Sequence, residues 1–231
     1  FHVLSSNYVA TGLALLSPED VEQVFENGHE KILGKGSYGV VFEGVLKKTT
    51  RVRCEKVELP RSERRINRDQ LCGRRNLPID ANIVTFFGYY KKKTCREQYF
   101  LVMEYMDKNL DQAVEDGTVH PVHVMLSVAL ALEQITRHRR IHRDLNPRNI
   151  LVRMSPKDLP PVKLTCFGTA GLVDSLDQQH TEMERRSDVH SFGMTGLQFF
   201  RRFRLHEDFK QLMLECVQRI PENRPSIEVV C

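Results

Sequence analysis

The sequence predicts an α+β protein of two lobes, because its first half is rich in β-like runs and its second half is mostly helical in pattern. Runs rich in Val, Ile, Phe and Tyr, bounded by glycine or charged turns, predict strands at residues 31–33, 40–45, 51–57, 83–91 and 99–104. Apolar residues three or four apart predict a helix over Pro121–Arg137. Similar patterns predict further helices at residues 187–200, 207–218 and 226–230. The change of pattern predicts a hinge near residues 103–108.

The hinge divides the chain into an N-terminal extension, a first lobe and a second lobe, over residues 1–29, 30–106 and 107–231. The extension is expected to hold one short helix. Ser17 can cap this helix, Pro18 suits its first position, and Asn27-Gly28 can end it. The remaining predicted elements are a basic helix and two short strands, at residues 60–77, 149–152 and 162–164.

The composition is that of an ordinary globular protein: of 231 residues, 41% are hydrophobic and 28% are charged, with a formal net charge of +4. No apolar run reaches the roughly 18 residues of a membrane-spanning helix, so none is expected. Residues 8–16 are too short and lack the basic flank of a signal peptide, and the start at Phe1 is that of a fragment or a processed chain. Basic clusters are interpreted as solvated surface, so nucleic acid is not an expected partner. Six cysteines without a C-x-x-C pair favour an intracellular, cytoplasmic protein over a zinc site or a disulfide framework.

A glycine-rich loop lies between two of the predicted strands. Gly34, Gly36 and Gly39 form a G-x-G-x-x-G pattern, in which the backbone can approach phosphate oxygens closely. A dinucleotide-binding fold would open a helix here, whereas this loop is followed by a predicted strand. The context therefore favours a β-hairpin that covers the phosphates of a nucleotide.

A second motif, Ile141-His142-Arg143-Asp144-Leu145-Asn146-Pro147-Arg148-Asn149-Ile150-Leu151-Val152, is highly specific. Together with the glycine loop it resembles the protein kinase superfamily, and its Arg148-Asn149 ending is most similar to the tyrosine kinase and tyrosine-kinase-like branches. Other family-like runs follow in the family's order: Asn82-Ile83-Val84, Leu101-Val102-Met103-Glu104-Tyr105-Met106, Ser187-Asp188-Val189-His190-Ser191-Phe192-Gly193 and Asn223-Arg224-Pro225. The resemblance spans residues 30–230 and implies a bilobal protein-kinase-like fold.

The resemblance implies roles for the residues that match the family. Asp144 would orient or deprotonate the substrate hydroxyl, Asn149 would hold Mg²⁺, and Arg148 would lie near the transferred phosphate. The glycine loop would cover the phosphates of ATP. The backbone of Glu104 and Met106 would bind adenine, and Met103 would lie behind it as the gatekeeper. An alternative role for Asp144 is to organise its own loop through hydrogen bonds.

One departure from the family lies in the strand predicted at residues 51–57. The family has a lysine there that binds the α- and β-phosphates. Alternation of the apolar residues Val52 and Cys54 puts Glu55 in its place, whereas a slip by one residue would put Lys56 there. We favour Glu55 and keep Lys56 as the alternative nucleotide-binding residue. The register decides whether phosphates would meet a repelling or an attracting charge.

Other departures concern the metal and the peptide. The glutamate that pairs with the family's lysine aligns with Gln70, or with Asp69. The magnesium aspartate of the Asp-Phe-Gly motif is replaced by Cys166, and a thiol is a poor ligand for Mg²⁺. The intervals from Cys166 to Asp188 and from Asp188 to Arg224 are short for the family. They imply a shortened activation segment and docking-helix region, which leaves the partner of Arg224 open.

These departures predict a pseudokinase that acts as a regulatory or scaffolding module through protein partners, with ATP binding possible and Mg²⁺ binding weak or absent. The alternative is an active ATP-dependent protein kinase that phosphorylates Ser, Thr or Tyr. It rests on the intact Asp144, Asn149 and glycine loop. A basic surface at residues 61–75 that binds RNA or phosphoproteins is compatible with the first prediction.

Overall fold

The computed structural model describes residues 14–36, 39–57, 80–93, 97–155, 159–165, 171–172, 178–204 and 206–231. The chain divides into two compact units. The first comprises Phe1–Asn76 and Thr85–Met106, and the second comprises Leu77–Val84 and Asp107–Cys231. The predicted α+β class, with a β-rich first lobe and a mainly helical second lobe, is confirmed.

The strands of the first unit are β1 (Val21–Gln23), β2 (Phe25–Glu26), β3 (His29–Glu30), β4 (Ile32–Gly36), β5 (Gly39–Leu46), β6 (Thr50–Val57), β7 (Phe86–Lys93) and β8 (Glu97–Glu104). The main sheet has the order β1-β5-β6-β8-β7, and β4 pairs with β5. Every pair in this sheet is antiparallel. The five strands predicted in the first lobe are confirmed, with ends that shift by a few residues.

One face of this sheet carries the apolar core of the first unit. Phe42 of β5, Val52 and Cys54 of β6, and Val102 of β8 are buried there. They alternate along their strands with residues of the opposite face, as the pleat requires. Tyr90 of β7 and Phe100 of β8 stack in the same cluster, with ring centroids 4.8 Å apart. Because apolar side chains fill the centre of this face, a ligand that contacts the middle of these strands would meet them on the opposite face.

The helix predicted in the N-terminal extension does not form. Only a single 3₁₀ turn occurs at Pro18–Asp20, and Val21 then begins strand β1, where it pairs with Leu46. Burial of Val21 against the sheet outweighs its local helical context, because strand pairing satisfies the backbone while the side chain packs. Asn27 and Gly28, expected to end a helix, have φ of 52° and 78° and connect β2 to β3 in a hairpin.

The second unit contains the helices α1 (Leu110–Glu115), α2 (Pro121–Arg137), α3 (Gln178–Phe200), α4 (Glu207–Cys216) and α5 (Ile227–Val230). Its short strands are β9 (Lys108–Asn109), β10 (Arg140–Ile141), β11 (Ile150–Val152), β12 (Val162–Leu164) and β13 (Gly171–Leu172). Strands β12, β11 and β9 form one small antiparallel sheet, and β10 pairs with β13. Helix α2 has the predicted bounds.

Helix α3 begins nine residues before its predicted start at 187, at Gln178. Residues 178–186 are mostly polar, so no apolar period marks them as helical. The Nε of Arg186 lies 2.8 Å from Oε1 of Glu182, an ion pair between residues four apart that supports this turn. Further along α3, Gly193 lets α4 approach closely, because a β-carbon there would lie 2.6 Å from Cβ of Cys216.

Some predicted features lie outside the described residues, namely the helix at 60–77, the candidates Asp69 and Gln70, and Cys166. No helix in the described parts of the chain is long and apolar enough to cross a membrane.

Candidate functional site

The loop that carries Asp144 is organised by two asparagines. The Nδ2 of Asn149 donates to the backbone oxygen of Asp144 at 2.7 Å and to its Oδ2 at 2.9 Å. The Nδ2 of Asn146 donates to the backbone oxygen and to Oδ1 of Asp144, both at 3.0 Å. Each carboxylate oxygen therefore accepts a hydrogen bond from an amide. The structure brings the predicted pair Asp144 and Asn149 together and adds Asn146.

Asn146 is a residue that the sequence analysis missed. Its Oδ1 accepts from the backbone N–H of Arg148 at 3.1 Å, so it caps the 3₁₀ turn Pro147–Asn149. An asparagine directly before a proline is a common way to begin such a turn, and this was the available signal. Arg148 itself is exposed, on the same turn as the buried Asn149. The turn thus orders the loop through backbone and amide contacts that do not require a ligand.

The base of this loop is held by a buried aspartate of α3. Oδ2 and Oδ1 of Asp188 accept from the backbone N–H groups of His142 and Arg143, at 2.7 and 2.9 Å. Burial raises the pKa of Asp188 above its ordinary value, opposed by these two donors and by the nearby imidazole and guanidinium. Arg143 has a φ of 65°, an uncommon conformation for a non-glycine residue that the bonds to Asp188 maintain.

His142 also holds the end of β12. Its ring is fully buried, and Nε2 lies 2.8 Å from the backbone oxygen of Thr165. The backbone N–H of Thr165 donates to the backbone oxygen of Asn149 at 2.9 Å. The residue that follows Thr165 in the sequence is Cys166. Within the described residues, no group of three His, Cys, Asp or Glu residues could hold a metal ion.

In the first unit, the register of β6 separates Glu55 from Lys56. Glu55 lies opposite Val41 of β5 and Leu101 of β8, and no register shift interrupts either pairing. Lys56 lies opposite Val40 and Phe100, on the face of the apolar core. Because side chains alternate along a strand, Glu55 is on the face of the expected gatekeeper Met103, and Lys56 is on the other.

Arg53 is a second charged residue on this face. It lies directly opposite Glu43 of β5 and Met103 of β8. Arg53 and Glu55 are only 7% and 5% exposed, respectively, so other protein atoms cover both side chains. Buried charges at neighbouring positions of one sheet face are unusual, because each costs desolvation energy unless it is paired.

Glu43 is at the centre of an ion-pair cluster on the same face. It is 5% exposed, and its Oε2 lies 3.3 Å from Nζ of Lys31. Its Oε1 lies 2.8 and 2.9 Å from Nη2 and Nε of Arg51. The guanidinium of Arg51 in turn lies 3.8 Å from the ring centroid of Tyr105, in cation–π geometry. We refer to Lys31, Glu43, Arg51, Arg53 and Glu55 as the charged cluster.

The glycine-rich loop is the predicted β-hairpin. Gly34 pairs with Val41 and Gly36 pairs with Gly39, in antiparallel register with one irregularity between Ile32 and Gly34. Gly39 has a φ of 146°, which a side chain would make unfavourable. Ser37 and Tyr38, which follow Gly36 in the sequence, lie outside the described residues.

The expected hinge follows β8. The backbone N–H of Glu104 donates to the backbone oxygen of Thr85 at 2.9 Å, and Oε1 of Glu104 accepts from the N–H of Thr85 at 2.7 Å. Met106 is fully buried. The structure therefore fixes the conformation of the chain at Glu104 through Thr85. The adenine contacts of Glu104 and Met106 stay a prediction.

Arg224, whose partner the sequence left open, binds backbone oxygens. Its Nε donates to Gln218 at 2.8 Å, its Nη1 to Arg186 at 2.9 Å, and its Nη2 to Arg219 at 3.4 Å. These bonds connect the N-terminal part of α3 to the segment after α4. The guanidinium therefore serves as a structural clamp of the second unit.

Comparison with known proteins finds similarity to protein kinases. A model described as the protein kinase domain matches residues 28–186. The chain is 27% identical over 217 residues to the leaf rust 10 disease-resistance locus receptor-like protein kinase-like 1.3 of Arabidopsis thaliana, covering 83% of this chain and 31% of that protein. It is 25% identical over 175 residues to mitogen-activated protein kinase 15 of Caenorhabditis elegans, covering 72% and 36% of the two chains. It is 33% identical over 151 residues to cell division control protein 2 homolog 3 of Trypanosoma brucei brucei, covering 60% and 45%. The chain thus spans less than half the length of these relatives.

Proposed function

We infer that this chain, which belongs to the protein kinase family, is a pseudokinase: it keeps the fold, transfers no phosphoryl group, and acts as a regulatory or scaffolding module for protein partners. Kinase domains in general bind ATP with Mg²⁺ and act on protein substrates. We assign the chain to the tyrosine kinase or tyrosine-kinase-like branch on the Arg148-Asn149 ending. We expect an intracellular, cytoplasmic protein on its cysteine usage.

The observation that carries this proposal is the position of Glu55. In the family a lysine at this place attracts the α- and β-phosphates. Continuous pairing of β6 with both neighbours supports Glu55 as the residue at this place, because it puts Glu55 on the same face as Met103. Two like charges roughly 4 Å apart repel by about 4 kcal/mol at an effective dielectric constant near 20, and a lysine would attract by a similar amount. The substitution therefore reverses the sign of a main electrostatic contribution to phosphate binding.

The metal site supports the same proposal. Mg²⁺ prefers oxygen ligands in octahedral geometry, and the family supplies an aspartate and an asparagine. Here Asn149 is present and could offer its amide oxygen, but the residue after Thr165 is a cysteine. A thiol would supply neither the charge nor the oxygen that the ion requires. The donor set does not fit Mg²⁺, so we derive no catalytic step through a metal ion.

One observation favours the alternative, an active kinase. Asp144 and Asn149 are hydrogen-bonded in an ordered loop, and an ionised Asp144 could accept a proton from a hydroxyl group. Both of its carboxylate oxygens already accept amide hydrogens, however. A substrate hydroxyl would have to share Oδ1 with Asn146, which a carboxylate oxygen with two lone pairs allows. The same contacts are sufficient for a purely structural role of Asp144 within its loop.

A phosphotransfer assay separates the two functions. The chain would be incubated with γ-labelled ATP and Mg²⁺ or Mn²⁺, with generic Ser/Thr and Tyr substrates, beside the Asp144→Asn variant. We expect the wild type and the variant to give the same background, because neither neutralises the phosphates. Metal-dependent turnover by the wild type that is lost in Asp144→Asn would refute the pseudokinase proposal and favour the active kinase.

A further inference from the structure

We propose that the charged cluster takes the place of an adenine nucleotide on the sheet of the first unit, so that this chain binds no nucleotide and connects its glycine hairpin to its hinge through its own side chains. This inference deepens the proposed function and rests on it. A kinase domain that transfers no phosphoryl group can still bind ATP. In this chain the charged cluster prevents this binding.

The first argument is access. The apolar core fills one face of the sheet, so a nucleotide could meet β5, β6 and β8 only on the face of Met103. A side chain that contacts a nucleotide must be reachable from solvent. Arg53, directly opposite Met103, and Glu55, two residues further along β6, are 7% and 5% exposed. Protein atoms therefore already occupy the positions from which these strands would contact a ligand.

The second argument is chemistry. An adenine ring is bound by apolar contact and a few backbone hydrogen bonds, and its pocket is usually lined by hydrophobic side chains. This face instead carries Arg53 at the position opposite Met103, and Glu43 at the position opposite Arg53. A base placed here would have to desolvate or separate charged groups, which costs free energy without a matching gain. Glu55 would in addition repel the phosphates.

The third argument is connectivity. A nucleotide in a kinase would contact the glycine hairpin and the hinge, and thereby connect them. The charged cluster makes the same connection. Glu43 binds Lys31, which directly precedes β4, and Arg51 of β6, whose guanidinium covers the ring of Tyr105 in the hinge. Since Glu43 is buried while both cations are partly exposed, its carboxylate has lost water and depends on these two partners.

The test is thermal unfolding of the whole chain with ATP and ADP, each with and without Mg²⁺, together with titration of a fluorescent ATP analogue. A ligand at about one hundred times its Kd would raise the Tm of a domain this size by roughly 5–10 °C. For the wild type we expect a shift of less than about 1 °C and no saturable fluorescence change. A saturable shift would overturn this inference.

Two variants test the cluster itself. Arg53→Ala combined with Glu55→Lys removes the guanidinium and restores the family's charge, and we expect it to gain a saturable nucleotide shift of roughly 2–5 °C. If this variant folds and gains no shift, other groups exclude the nucleotide and the assignment to the cluster is wrong. Arg53→Met is the milder variant if the double substitution does not fold, and it is judged by the same fluorescence titration.

Lys56→Gln, added to the Arg53→Ala/Glu55→Lys variant, is the matched control on the opposite face, and we expect it to leave the gained nucleotide response unchanged. If it abolished that response, Lys56 would be the phosphate ligand and the assignment to the cluster would be wrong. Glu43→Gln should lower the Tm by roughly 2–6 °C without any nucleotide, because Lys31 and Arg51 lose their common partner. An unchanged Tm would show that the cluster does not stabilise the unit.

The outcomes for binding and for catalysis are distinguishable. Nucleotide binding by the wild type without phosphoryl transfer would overturn this inference and leave the pseudokinase proposal intact. Phosphoryl transfer by the wild type would overturn the proposed function itself.

Discussion

Replacing Arg224 by alanine is expected to lower the free energy of unfolding of the second unit by about 3 kcal/mol. The guanidinium donates to three backbone oxygens, of which those of Gln218 and Arg186 lie at 2.8 and 2.9 Å and that of Arg219 at 3.4 Å. Hydrogen bonds to charged groups contribute roughly 1.5–3 kcal/mol each. We count the two short bonds at the lower end of this range, because the site is partly exposed, and give the long one no weight.

Geometry also separates arginine from lysine at this position. The two short bonds leave the guanidinium from Nε and Nη1 toward two different segments of the chain. A lysine ammonium is a compact group at the end of a flexible chain, and it can occupy only one of these places. Arg224→Lys should therefore lose about half of the stabilisation, roughly 1.5 kcal/mol. For a chain of this size these values correspond to Tm decreases of roughly 6–12 °C for alanine and 3–6 °C for lysine.

Urea unfolding followed by far-UV circular dichroism is the appropriate measurement. Every α-helix within the described residues belongs to the second unit, so the helical signal of that described part reports on the second unit. Arg219→Ala is the matched control: it removes the same charge from an exposed side chain and leaves its backbone oxygen in place. If Arg224→Ala destabilised no more than Arg219→Ala, or if lysine fully replaced arginine, the clamp would be refuted.

Three further predictions concern the metal position, a helix contact and pH. Cys166→Asp alone should not restore phosphoryl transfer, because Glu55 would still repel the phosphates; metal-dependent activity of this variant would contradict the inferred role of Glu55. Gly196→Ala should destabilise by about 1–3 kcal/mol in urea unfolding, because its β-carbon would overlap Sδ of Met213; an unchanged midpoint would contradict the close approach of α3 and α4. Burial raises the pKa of Asp188, so between the unfolded and folded pKa values the folded state binds more protons. The wild type should thus lose stability relative to Asp188→Asn as pH rises through the folded-state pKa. Urea unfolding of both proteins over a pH series measures this. A difference in unfolding free energy that stays constant with pH would contradict the prediction.

Local patterns predicted most of the secondary structure. Runs of β-branched and aromatic residues marked the strands of the first lobe, and the apolar period of residues 121–137 marked α2 with correct bounds. These predictions succeeded because each element buries one face against a core, and a buried face produces a regular spacing of apolar residues in the sequence. The polar start of α3 has no such period, and it was missed for that reason.

The sequence also predicted that Asp144 and Asn149 are residues of one site and that the glycine loop is a β-hairpin. It did not identify Asn146, whose amide meets Asp144 only when the turn after it is formed. Nor did it identify the role of Glu43, since the partners of this carboxylate come from different elements and meet it only in the folded sheet.

The sequence by itself determined the family of this protein and predicted that Cys166 replaces its metal aspartate, because both depend on residue identity within ordered motifs. It favoured Glu55 over Lys56 for the face of Met103 but kept both, because a slip of one residue exchanges the two faces of a strand. Only the tertiary structure decided this register. Strand β6 pairs with β5 and β8, and the buried apolar core marks which face of these two strands each residue of β6 shares. The tertiary structure likewise decided that Val21 belongs to a strand and that Arg224 binds backbone oxygens, because these depend on partners distant in sequence.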